Sequence, residues 1–242
     1  MPVGTPFLAR PDGTVSVPLA LFASLAWRYR DRAGSAIAIG SAIGVKLALT
    51  PLLVWLWLRG SGRRAVQSVI VGGALVLVPW AAIGFAGIGG YAGLTRELAR
   101  LEGVESYSVY ALGLSAGLPS WLARAAWLGV GLGLVAASGA FARRGRDEQS
   151  FVLAVFASLA LAPIVWLHVF VFLAVPLAIA RPRFGPAWLL PLLMWGAPVT
   201  DGTGLETARV LLAAGLVLGV CLRPARSAQG AGRVSTAILA PE

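Results

Sequence analysis

The only lysine in the sequence, Lys46, stands in Ile43-Gly44-Val45-Lys46-Leu47-Ala48-Leu49, and the only histidine, His168, closes Ala162-Pro163-Ile164-Val165-Trp166-Leu167-His168. An ammonium group inside an apolar stretch costs about 2.5–3.5 kcal/mol at mid-bilayer, so such a residue turns to a cavity or a partner. Lys46 therefore either holds an anionic lipid headgroup or phosphate, or snorkels to the interface and pairs with a carbonyl. The imidazole of His168 can donate to a leaving-group phosphate or orient an acceptor hydroxyl. Equally, it can be a buried histidine bonded to a carbonyl, with Trp166 as an interface anchor. Ser106-Tyr107-Ser108-Val109-Tyr110 offers hydroxyls that could bind a sugar, although tyrosines also form aromatic belts.

Other chemistries find less support. Asp201 and Glu206 are carboxylates of one late segment, but nothing fixes their spacing for a glycosidase, and solvated loop charges explain them better. One cysteine (Cys221) forbids an internal disulfide, and one histidine excludes a multi-imidazole zinc site. No carboxylate cluster suits a divalent cation, so neither a metal nor a cofactor is expected. The clusters Gly87-Ile88-Gly89-Gly90 and Gly129-Val130-Gly131-Leu132-Gly133 follow no strand, and the second suits close helix packing better than a phosphate loop.

The elements that must position these residues follow from composition. Of 242 residues, 58% are hydrophobic and 12% charged, against about 25% charged in a soluble domain. The fold class expected is all-α: a polytopic integral membrane protein in one domain, 1–242. Its net charge of +10 is scattered between apolar runs, so no nucleic-acid partner is implied.

Apolar runs fall at 15–27, 33–58, 65–85, 121–141, 151–162, 164–180, 187–199 and 210–222. Between them stand five arginine groups: Arg28/Arg30/Arg32, Arg59/Arg63/Arg64, Arg143/Arg144/Arg146, Arg181/Arg183 and Arg223/Arg226/Arg233. The positive-inside rule puts all five in the cytoplasm, with a cytoplasmic tail over 223–242. Residues 33–58 must then enter and return as a broken hairpin with its tip near 46–51, where Pro51 cannot continue a helix. The second leg is too short to cross and is expected to be re-entrant. A second hairpin, 151–180, breaks at Pro163. Residues 90–105 form an amphipathic interfacial helix, with Leu94, Leu98 and Leu101 on one stripe and Arg96, Glu97, Arg100, Glu102 and Glu105 opposite. Lys46, Trp166 and His168 thus fall on the extracytoplasmic face.

Three stretches, in order, resemble glycosyltransferase family 87, the polyprenyl-phosphate-mannose-dependent α-mannosyltransferases of the GT-C superfamily. They are Ala26-Trp27-Arg28-Tyr29-Arg30-Asp31-Arg32 with Val45-Lys46-Leu47-Ala48-Leu49-Thr50-Pro51-Leu52-Leu53-Val54-Trp55-Leu56; Pro79-Trp80-Ala81-Ala82-Ile83-Gly84-Phe85 with Tyr91 and Ser106-Tyr107-Ser108; and Ala162-Pro163-Ile164-Val165-Trp166-Leu167-His168 with Val175-Pro176-Leu177-Ala178 and Arg181-Pro182-Arg183. The resemblance runs over 12–199. The chain departs from the family at Ala162, where Ser is usual, at Val169, where an aromatic is usual, and at Gly13-Thr14-Val15-Ser16, which replaces a Gly-Gln-x-Asn pattern.

The resemblance implies a plasma-membrane hexosyltransferase, in the first place a mannosyltransferase, working at the extracytoplasmic face. It takes its sugar from a polyprenyl-phosphate donor and passes it to a lipid or glycan acceptor. Lys46 then binds the donor phosphate, His168 is catalytic through hydrogen bonding, and Tyr107, Ser108 and Trp166 are sugar or acceptor contacts. The family's general base lies in upstream helices, and Asp12 does not inherit that role, so the chain is expected to be a C-terminal portion. A non-catalytic membrane subunit that binds lipid phosphate is the competing reading. A small transporter stands behind both, since the spans carry no inverted repeat or coupling carboxylate.

Overall fold

The computed structural model describes residues 15–104, 106–197 and 204–223. The readings at Asp12, Glu105, Asp201, Arg226 and Arg233, and of the tail past Arg223, lie outside these residues. Within them the protein is all-α, with no strand: ten α-helices joined by turns and three 3-10 stretches. They are α1 (Ser16–Arg28), α2 (Gly34–Val45), α3 (Thr50–Leu58), α4 (Gly62–Ala82), α5 (Ile88–Glu102), α6 (Val109–Ser115), α7 (Ser120–Arg143), α8 (Asp147–Ala160), α9 (Ala174–Ala180) and α10 (Gly204–Leu222). Helices α4, α7 and α10 are long and apolar enough to cross a membrane. Only 17%, 17% and 28% of their most apolar windows is buried by the rest of the protein. Apolar surface left outward on that scale belongs against lipid, and the chain is an all-α membrane protein.

The arginines collect at one end of the helices. The guanidinium of Arg59 donates to the Arg30 carbonyl (2.8 Å), to Asp31 (3.0 Å) and to Asp147 (2.6 Å), and Arg64 donates to the same Arg30 carbonyl. Arg181 donates to the carbonyls of Val220 (2.7 Å) and Arg223 (3.0 Å) at the end of α10. The first set ties the turn between α1 and α2 to the end of α3 and the starts of α4 and α8, and the second ties the end of α9 to that of α10. Beneath this arginine layer lie the rings of Trp27, Trp55 and Phe151, with centroids 4.8–6.4 Å apart. Arg30 and Arg59 stack over Trp27 and Trp55 at 4.4 and 5.3 Å, so the cations rest on aromatic faces.

The first hairpin follows from that layer. Gly40 packs on Ser68 and Val71, and Gly44 on Gly72 and Leu75, so α2 and α4 run in the same direction. The chain between them must therefore return. It does so through a break at Lys46, whose extended backbone (φ −149°, ψ 109°) ends α2. A 3-10 turn over Leu47–Leu49 follows, and then nine residues of α3. Pro51 lies in the first turn of α3, where its missing N–H costs nothing. Nine α-helical residues rise about 13–14 Å, less than half a bilayer core.

The second hairpin breaks as Pro163 requires. Helix α8 stops at Ala160, and the chain resumes as a 3-10 stretch, Leu167–Leu173, that leads into α9. Helices α7 and α8 are clasped by two buried serines, with Ser138 Oγ donating to the Ser150 carbonyl (2.7 Å) and Ser150 Oγ to that of Ser138 (2.8 Å). The apolar run at 187–199 is not a spanning α-helix. It forms a 3-10 stretch, Pro186–Met194, in which the internal Pro191 removes a donor that an α ladder would need. Of the glycines in 129–133, only Gly131 is in close contact, where an added Cβ would overlap Leu161.

Candidate functional site: two clefts at the proline turn

The end away from the arginine layer carries Lys46, the proline turn over 161–166, α5 and α6. The loop 106–108 is pinned to this turn, because the Tyr107 N–H donates to the Val165 carbonyl at 2.7 Å. The loop is buried: Tyr107 is 1% exposed and Ser108 2%. Ser108 caps α6 by accepting from the Ala111 N–H (3.1 Å), and Ser106 Oγ donates to the Gly103 carbonyl (2.9 Å) and lies within hydrogen-bond distance of Ser108 Oγ (2.9 Å). The serine hydroxyls read as sugar contacts thus hold the loop in shape, and the Tyr107 ring belongs to the core.

Lys46 is half-buried and faces two spaces. One is a void of about 20 Å³ that it shares with Ser16, Ser158 and Val169. The other is a cleft of about 710 Å³ between the ends of α2 and α4, walled by Val76, Pro79, Trp80, Ile83, Tyr91 and Pro163 among others. Among the described residues its wall is apolar apart from Lys46 and the Tyr91 hydroxyl, and Lys46 is the one charged residue among them. The long helix α4 supplies one side, and the α2 break aims the backbone at Lys46 into the other.

His168 opens the 3-10 stretch and is half-buried, with the Trp166 ring edge-on to it at 5.6 Å. Its neighbour Val169 shares the small void with Lys46. The fold therefore brings the lysine and histidine segments together, while the walls of the large clefts contain Lys46 and Pro163 but not His168.

A second cleft of about 750 Å³ also has Pro163 in its wall, together with Arg96, Arg100, Tyr110, Arg124 and Trp127. Sequence reasoning missed it. Its signal was available in Arg124, a charged residue placed three positions into the apolar run that begins at Trp121. Glu206, one of the two late carboxylates, lies in the first turn of α10, where a helix N-terminus favours it.

No curated protein and no solved structure matches the chain. The sequence profile of glycosyltransferase family 87 matches residues 12–167, well over half of it. The matched stretch takes in Lys46, the α2 break, the buried loop at Tyr107 and the proline turn as far as Leu167, and ends one residue before His168. The chain belongs to glycosyltransferase family 87.

Proposed function

We propose that the chain transfers a hexosyl group, mannose in the first place, from a polyprenyl-phosphate donor to a lipid or glycan acceptor. The observation that carries this reading is Lys46, the single charge among the described residues that wall a largely apolar cleft, beside the proline turn. An isoprenoid tail suits the apolar wall, and a cation at its end suits the phosphate. A 710 Å³ cleft also lies in the size range of lipid and cofactor sites.

In the reaction, an acceptor hydroxyl oxygen bonds to the anomeric carbon while the bond from that carbon to the phosphate oxygen breaks, with inversion. The bonding pair leaves with the polyprenyl phosphate, and the hydroxyl proton passes to a base. Lys46 stabilises the charge that grows on the departing phosphate, an electrostatic effect strongest in a water-poor site. His168 donates a hydrogen bond to that phosphate or orients the acceptor hydroxyl. The arginine layer faces the cytoplasm under the positive-inside rule, so the protein is multi-pass with its C-terminus inside and its clefts on the extracytoplasmic side of the plasma membrane.

The test is a transfer assay on proteoliposomes of the full chain, supplied with polyprenyl-phosphate-[14C]mannose and membrane lipid extract. Label should move to an extractable product, and Lys46→Gln and His168→Gln should each reduce transfer at least tenfold with expression unchanged. Undiminished transfer in both variants would overturn the assignment of roles. Donor bound without any turnover would instead favour the lipid-phosphate-binding subunit.

A further inference from the structure

The cleft on the other side of Pro163 has the opposite character from the one at Lys46. Arg96 and Arg100 reach it from α5, and Arg124 reaches it from α7 beside Trp127, with no carboxylate among the described residues of its wall. Arg100 is held in a two-pronged pair with Glu97 (2.7 and 3.0 Å), which cancels its charge. The other two guanidinia have no acidic partner among the described residues. Arg96 Nε donates to the Ala92 carbonyl (3.1 Å), and Arg124 lies over the Tyr110 ring at 6.0 Å, so both groups are oriented from behind. The indole N–H of Trp127, on the same wall, is buried without a hydrogen-bond acceptor.

Two guanidinia on one wall repel each other unless an anion lies between them. A guanidinium's planar fork matches the oxygens of a phosphate, and the resulting charge-assisted bonds are the strong ones. A neutral sugar needs no such pair. The location fits as well: α5 carries its apolar residues on one stripe and its charges on the other, the pattern of a helix lying at headgroup depth.

We infer that the arginine-lined cleft is a second site, separate from the one at Lys46, that binds the phosphate of an anionic lipid headgroup through Arg96 and Arg124. Since Pro163 belongs to both walls, this anion is held next to the donor, and the site selects an acceptor that carries its own phosphate. The acceptor role rests on the donor reading of the Lys46 cleft. The binding of the anion does not.

The experiment is isothermal titration of the purified full chain, in a neutral detergent, with three probes: dihexanoylphosphatidylglycerol, dihexanoylphosphatidylcholine and inorganic phosphate. The phosphatidylglycerol probe should bind at least tenfold more tightly than its zwitterionic counterpart. It should lose at least tenfold in affinity in the Arg96→Gln/Arg124→Gln double variant and recover part of this in the corresponding double lysine variant. Lys46→Gln should leave it unchanged, which separates this result from any failure of the donor reading. Inorganic phosphate binding with the same arginine dependence would support the anion site and assign it to free phosphate rather than a headgroup. Equal affinity for the two lipids, no response to the arginine substitutions, or equal loss in Lys46→Gln would overturn the inference.

Discussion

Helices α2 and α4 form the two sides of the Lys46 cleft, and what holds them together is the absence of a side chain at Gly40. A Cβ built there would stand 2.6 Å from the Ser68 carbonyl oxygen and 2.7 Å from Val71 Cβ. Ordinary contact begins at 3.4 Å, and a backbone carbonyl inside a helix cannot swing away. Gly73, in the middle of α4, has nothing within 4 Å of the same hypothetical atom. Alanine at either position gains the same helix propensity, about 1 kcal/mol over glycine. The difference between Gly40→Ala and Gly73→Ala therefore isolates the overlap, which by comparison with overpacked cores costs about 1–3 kcal/mol. That is a factor of roughly 5–150 in the unfolding equilibrium. Reversible unfolding in mixed micelles, with sodium dodecyl sulfate as denaturant and circular dichroism as readout, measures it. Gly73→Ala should match or exceed the wild type and Gly40→Ala should fall below it. Gly44→Ala should lie between them, since its nearest neighbour is the Leu75 side chain at 3.1 Å. Equal midpoints for Gly40→Ala and Gly73→Ala would refute the close α2–α4 packing, and with it the geometry that aims Lys46.

Three further outcomes follow from the arginine layer and the buried loop. The Arg59 side chain is 10% exposed and bridges Asp31 and Asp147, so Arg59→Ala should cost about 1.5–3 kcal/mol in the same unfolding assay, with Arg59→Lys restoring only part because a point charge cannot replace the fork. Glu148, in the first turn of α8 ahead of the apolar run, is pushed above the usual carboxylate range by burial, which the Arg181 charge only partly offsets. Its folded state prefers the proton, so its contribution to stability is present below the unfolded pKa and is lost as pH rises through the folded value; melting curves between about pH 4 and 7 should show that loss in the wild type and not in Glu148→Gln. Ser108→Ala removes the cap of α6 and should lower stability by about 1 kcal/mol, while transfer activity, if measured at a temperature well below the melt, stays within a fewfold of wild type.

How much of this could be read from the residues depends on the range of the interaction. The helix breaks were legible because proline acts locally: Pro51 opens α3 a few residues past the end of α2, and Pro163 stands three residues past the end of α8. The gathering of the arginine groups was legible too, since charge spacing along apolar runs dictates which ends share a face. Depth was not. Ser106-Tyr107-Ser108 looks like an exposed polar loop in one dimension, and is buried because the Tyr107 N–H bonds to Val165, more than fifty residues away. The partners of glycines were equally hidden. Gly129 and Gly133 face open space, whereas Gly40 and Gly72, which nothing in the sequence singles out, meet backbone to backbone between α2 and α4. The run at 187–199 shows how hydropathy misleads when an internal proline, Pro191, interrupts the α ladder that the run's length suggests. Arg124 was passed over because a single charge near the end of an apolar run reads as a boundary rather than as a wall.

The central claim is that Lys46 receives the phosphate of a polyprenyl donor in the cleft between α2 and α4. Native mass spectrometry of the purified full chain with polyprenyl phosphate, against uncharged polyprenol of the same length, tests it most directly. One charge-assisted contact is worth about 1.5–3 kcal/mol. Polyprenyl phosphate should therefore bind at least tenfold more tightly than polyprenol to the wild type, and that preference should fall severalfold in Lys46→Gln and survive in Lys46→Arg. An undiminished preference in Lys46→Gln would place the phosphate elsewhere and contradict the account.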